Sequence, residues 1–130
     1  AADALGVERV GLIGYCMGGM YCHKAVQHER FVRIASFYGM IHIPFDWAGP
    51  KQAEPIACLK AGHADRVLAI IDSQDPYTPP TQVNELRDAG VTVVEYEEAA
   101  HGFAHDSSRP AHRAEDAADA FSRTHRWLLS

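Results

Sequence analysis

Four apolar runs of strand length, Val10 to Ile13, Phe31 to Tyr38, Val67 to Ile71 and Val91 to Tyr96, recur along the chain with helix-length stretches between or after them. They are rich in Val, Ile and aromatic residues and lack the strict alternation of a half-wetted sheet, which favours parallel strands covered on both faces. Met17, Met20, Tyr21 and Ala25 fall at i, i+3, i+4 and i+8, one apolar face of a helix from about Met17 to Glu29. Thr78 before Pro79 reads as the N-cap and first turn of a second helix, which Gly90 closes. A last helix carries Ala114, Ala117, Ala118, Phe121 and Leu128 on one stripe, with Pro110 near its start. Strands alternating with helices of this length form βαβ units, so the expected fold class is α/β, a mostly parallel sheet with helices on both faces. A chain of 130 residues has the size of one domain, residues 1–130. The stretch from Gly39 to Asp65 holds Pro44, Gly49, Pro50, Pro55 and Gly62 around a short helix at Ile56 to Lys60. It reads as a long connection over the strand ends, and a lid and a plain surface excursion fit it equally.

Composition narrows the class of function. With 47% hydrophobic and 22% charged residues the chain can bury a core and is neither a disordered tail nor a collagen. No stretch approaches the ~20 consecutive apolar residues of a membrane span, and the start lacks a basic segment followed by an apolar run. Acidic residues outnumber basic ones by 17 to 12, a net charge of -5, and the bases are scattered. Nucleic acid and membrane are therefore not expected partners. The cysteines, Cys16, Cys22 and Cys58, are odd in number and form no CxxC pair, which fits neither a disulfide framework nor a zinc site and points to a reducing, cytoplasmic compartment.

The chemistry is written at the strand ends. Gly14-Tyr15-Cys16-Met17-Gly18-Gly19 follows one apolar run directly and precedes a helix, the nucleophile-elbow pattern G-x-(S/C)-x-G. A side chain at the tip of so sharp a turn sits on strained backbone, and glycines two positions either side let the neighbouring chains approach. The thiol faces the positive end of a helix dipole, which favours the thiolate, and the backbone N–H of Met17 points to the same spot as an oxyanion donor. A purely architectural reading, glycines packing a βα turn around a buried cysteine, fits the six residues taken alone. Asp72-Ser73-Gln74-Asp75-Pro76 after the third run and His101-Gly102-Phe103 after the fourth change that balance, because α/β sheets carry their sites at the carboxyl ends of strands. His101 and His105 are also four apart, as metal ligands on a helix would be, but Gly102 argues against a helix there and no third ligand has a recognisable spacing. No metal and no cofactor is expected.

These three segments, in the order nucleophile, acid, histidine, resemble the dienelactone hydrolase family of α/β-hydrolases, whose members use cysteine where most of the superfamily uses serine. The resemblance runs from Val7 to Leu129. It implies Cys16 as nucleophile, His101 as base and Asp75 as the residue orienting that base, with Asp72 the competing acid and Asp75 preferred for its Asp-Pro match and looped position. It implies an ester or lactone substrate, an acyl-enzyme and no cofactor. Archetypal members carry an arginine that binds the substrate carboxylate where His105, itself a candidate substrate contact, stands, which counts against the dienelactone substrate; Arg109 is a candidate for the missing charge, although such a residue is more often solvated or a cap partner for the last helix. Tyr15, Phe37, Tyr38, Trp47 and Phe103 are candidate walls of an acyl pocket, although aromatics of this kind are more often core. In the superfamily the elbow follows the fifth of eight strands, and a second oxyanion donor comes from a loop after the third. The chain is thus expected to be a carboxyl-terminal portion lacking those earlier strands, its helix-like opening at Ala1 to Gly6 the cut edge. The unpaired edge left on its first strand suits self-association, which keeps a noncatalytic assembly or ligand-binding module as the rival function.

Overall fold

A computed structural model describes residues 2–130. Four strands, β1 (Val10–Tyr15), β2 (Phe31–Phe37), β3 (Val67–Asp72) and β4 (Thr92–Tyr96), form one sheet in the order β1-β2-β3-β4, every neighbouring pair parallel. Four helices accompany them: α1 (Met17–Ala25), α2 (Pro55–Ala61), α3 (Pro80–Asp88) and α4 (Ala114–Leu129). Alternate residues of the central strands feed two cores. Ile34, Val67, Ala69 and Ile71 pack with Cys22 of α1, Val26 just beyond it, Ile56 and Leu59 of α2, and Val83 and Leu86 of α3. Ala35, Phe37, Leu68 and Ile70 pack on the other side with Tyr96, Phe103 and, from α4, Ala117 and Ala120. Helices therefore cover both faces, and all six residues of β3 are buried. That double burial explains why the central strands read as unbroken apolar runs.

The helices correct several expectations. The first ends at Ala25 instead of Glu29, and its buried residues are Gly19, Met20, Cys22 and His23, whereas Met17 and Tyr21 are about half exposed. The face is set by where Gly19 must approach β2, not by which side chains are most apolar. Thr78 caps nothing: α3 starts one residue later behind Pro79, and the buried Thr78 hydroxyl has no partner. Gly90 ends α3 as expected, at φ +97°. In α4 the buried residues are Ala117, Ala120 and Thr124, while Ala114, Ala118 and Phe121 are exposed. Trp127 sets that rotation, since its indole N–H donates to the Ile34 and Arg66 carbonyls at 3.1 and 3.3 Å. The connection from 39 to 65 is mainly the crossover from β2 to β3, with α2 packed beside α1. The opening expected as a helix end is a single 3-10 turn over Ala2–Leu5, followed by Gly6 at φ +64°; Ala1 lies outside the described residues.

Candidate active site

Parallel strands direct all four carboxyl ends to one edge of the sheet, and the sequence-derived candidates meet there. Cys16 sits between β1 and α1 at φ 55°, ψ -117°, a left-handed conformation that is strained for a residue with a Cβ. The turn survives because its neighbours lack side chains. A Cβ on Gly14 would lie 2.3 Å from the Gly18 carbonyl oxygen and 2.7 Å from Cys22 Sγ, and one on Gly19 would lie 2.7 Å from Gly39 Cα. Gly18, expected to serve the same close approach, does not: a Cβ there would meet nothing within 4 Å. Close packing at the elbow belongs to Gly14 and Gly19, and the space over Gly18 is open. Met17 opens α1, so its N–H has no intrahelical acceptor.

The loops after β3 and β4 are stitched together. Ser73 N–H donates to the Tyr96 carbonyl, Gln74 N–H to the Ala99 carbonyl, and Glu98 N–H to Ser73 Oγ. This brings Asp75 Oδ2 to 2.6 Å from His101 Nδ1, while Asp75 Oδ1 accepts the Tyr77 N–H at 2.8 Å in an Asx turn. The Asp75 side chain has no exposed surface. The Asp75 hydrogen bond is the main cause that raises His101 to about 9, outweighing the opposing effect of burial, and the Cys16 thiol raises it further. Tyr38 and Tyr77 flank the imidazole with ring centroids 5.2 and 5.5 Å away. Of the two rival acids, Asp75 and not Asp72 makes the hydrogen bond to His101.

Asp72 ends β3 fully buried, and neither of its carboxyl oxygens has a hydrogen-bond partner. Desolvation first, and the neighbouring Asp75 charge second, push it up to about 7. In the sequence it stands out only as an alternative acid. One ligand atom from each of Asp72, Asp75 and His101 lies within 4.8 Å of the others, the grouping among the described residues that comes nearest to a cation site. The 2.6 Å approach of Asp75 to His101 is that of a direct hydrogen bond; ligands held by one cation at about 2.1 Å each stand farther apart.

The pocket-wall candidates divide. Phe37, Tyr38 and Phe103 are wholly buried and belong to the core, which corrects their reading as walls; the sheet and α4 close over them. Trp47 lies in a 3-10 turn of the β2–β3 connection. Tyr15 is partly exposed and packs against Phe37, Tyr38, His105 and Phe121. The Tyr38 hydroxyl meets His105 Nδ1 at 2.5 Å, a pair the sequence did not suggest, and Tyr38 itself has φ 39°. Burial first and Arg109 second hold His105 below its usual range. The Arg109 guanidinium lies against Gly102, whose φ of +81° leaves that face of the backbone bare beside His101. Two surface depressions, about 570 and 430 Å³, lie elsewhere, around Tyr21 and Lys24 and between β4 and α4.

The model of the dienelactone hydrolase family matches residues 2–130. A protein of Synechocystis sp. (strain ATCC 27184 / PCC 6803 / Kazusa) named "Putative carboxymethylenebutenolidase" is 32% identical over 122 residues, which cover 89% of this chain and 48% of that protein. Among solved structures, one named "Putative Dienelactone Hydrolase", from Klebsiella pneumoniae subsp. pneumoniae MGH 78578, gives a TM-score of 0.70 at 23% identity and covers 92% of this chain and 51% of its own. A dienelactone hydrolase-like promiscuous phosphotriesterase from metagenomic libraries gives 0.64 at 20% identity, covering 96% and 56%. The chain spans about half the length of these relatives, and the shared fold is that of α/β-hydrolases.

Proposed function

Because this chain belongs to the dienelactone hydrolase family, we propose that it contributes a Cys16–His101–Asp75 triad to the hydrolysis of an ester or lactone. The observation that carries this reading is the 2.6 Å bond from His101 to a fully buried Asp75, at the same sheet edge as a cysteine on strained backbone. With its basicity raised, His101 takes the thiol proton of Cys16 and is held as an imidazolium beside it. The thiolate attacks the carbonyl carbon, and the Met17 N–H stabilises the oxyanion. Collapse expels the alkoxide, which takes the His101 proton. Neutral His101 then removes a proton from water, whose hydroxide attacks the thioester; expulsion of the thiolate restores the ion pair. Asp75 holds Nδ1 throughout, so Nε2 faces the reaction. Arg109 and His105, beside this edge, are the side chains available to an acidic substrate group.

Iodoacetamide is expected to modify Cys16 well before Cys22 and Cys58, both buried, the first with its thiol pushed up to about 12 by desolvation. Equal rates at the three would remove the activated nucleophile. Turnover of a panel of aryl esters and lactones by wild type, lost in Cys16→Ala, supports hydrolysis. The second reading is an assembly module. It draws on the outer edge of β1, which has no strand partner among the described residues and carries Ile13 at 41% exposure. Concentration-dependent oligomers without Cys16-dependent turnover favour it.

A further inference from the structure

Asp72 is the buried ionisable group at this sheet edge that the mechanism above leaves idle. It is wholly buried at the end of β3, and both its carboxyl oxygens lack partners. The groups that bear on it are Asp75 from the next turn, His101 from the loop after β4 and Tyr38 from the end of β2. A lone ionised carboxylate so enclosed loses its hydration without compensation, and a second carboxylate within 4.8 Å repels it further. The two aspartates therefore hold one proton between them well above the ordinary aspartate range, up to about neutral pH. Which of them carries it follows from their partners. Asp75 accepts two N–H donors, one on each oxygen, as an ionised carboxylate does. Asp72 accepts none.

We propose that Asp72 is a positioning residue acting through Asp75: as a neutral carboxylic acid it turns its O–H onto the Asp75 carboxylate and steadies it against His101. When the pH rises, that proton leaves to solvent and a second negative charge appears behind the Asp75–His101 pair. The imidazolium is then held more strongly, and the thiolate beside it becomes more reactive. The inference rests on the triad reading given above, and its consequence is an additional titration in the reactivity of Cys16.

The test combines two measurements on the full chain. Carbon-13 titration of the aspartate carboxyls should find one that keeps its proton far above the ordinary aspartate range in wild type and is missing in Asp72→Asn. The iodoacetamide rate at Cys16, followed against pH, should show two inflections in wild type and one in Asp72→Asn, whose amide still donates to Asp75. Asp72→Leu, without a donor, should react about tenfold more slowly throughout, with circular dichroism reporting that it is folded. Ordinary titration of every carboxyl overturns the proposal. So does an Asp72→Asn profile that superimposes on wild type, or equal slowing in both variants, which marks a packing role. A wild-type Cys16 no more reactive than the other cysteines overturns the triad reading alone; the carboxyl titration decides Asp72 in either case.

Discussion

At the scale of single residues, the elbow separates two glycines that look alike in the sequence. A methyl group on Gly14 would strike backbone that cannot move aside, whereas one on Gly18 enters open space at the start of α1. Gly14→Ala is expected to cost about 3 kcal/mol or more, by overpacking, and Gly18→Ala to change stability by less than about 1 kcal/mol, both read from urea denaturation. His101 makes a second prediction. Its basicity is raised from the usual 6.5 to about 9, so the folded chain binds the proton more tightly than the unfolded one. The stabilisation is complete below pH 6.5 and is lost as the pH climbs through about 9. Urea midpoints taken across that window should fall in wild type more than in His101→Asn, and parallel curves would exclude the linkage. Cys16, Asp75 and His101, the residues of the proposed triad, stood out because each belongs to a short local motif at a strand end. The Tyr38–His105 bond and the isolation of Asp72 were not, since both depend on which loops are stitched together across the sheet.

At the scale of elements, the strands were easier to read than the helix faces. β2 and β3 are covered on both sides, so their apolar runs survive any rotation of the strand. A helix face must be chosen, and in α1 the choice is made by Gly19 against Gly39 and by His23, neither of which counts as apolar. His23 is wholly buried, with Nδ1–H donating to the Met40 carbonyl at 3.2 Å and Nε2 unpartnered. Burial pushes it down to about 4, so here the unfolded chain binds the proton more tightly. Stability from this group is complete above pH 6.5 and is lost as the pH falls through about 4. A His23→Gln variant is expected to lose less stability than wild type over that interval, in thermal melts at matched ionic strength. An equal loss in both would assign acid unfolding to other groups.

At the scale of the whole molecule, the sheet has a buried centre and two outer strands. β1 has no strand partner on its outer side among the described residues and carries the 41% exposed Ile13, and such an edge is a template for another strand. Sedimentation over a hundredfold concentration range is expected to find wild type associating and Ile13→Lys, with a charge on that strand, monomeric. A wild type that stays monomeric excludes the edge as an association surface. That edge was foreseen only through the family resemblance, because no local pattern tells an outer strand from a central one.

The spatial order of the strands also follows their order in the chain. A polypeptide emerging from the ribosome can therefore lay down this sheet one strand at a time, each arrival finding its partner already waiting. The cysteine turn takes shape once β2 and Gly39 have emerged, whereas the histidine enters only after β4 has docked. A nascent chain thus forms the cysteine turn before His101 has arrived, and the proposed Cys16–His101 pair can come together only once β4 has docked.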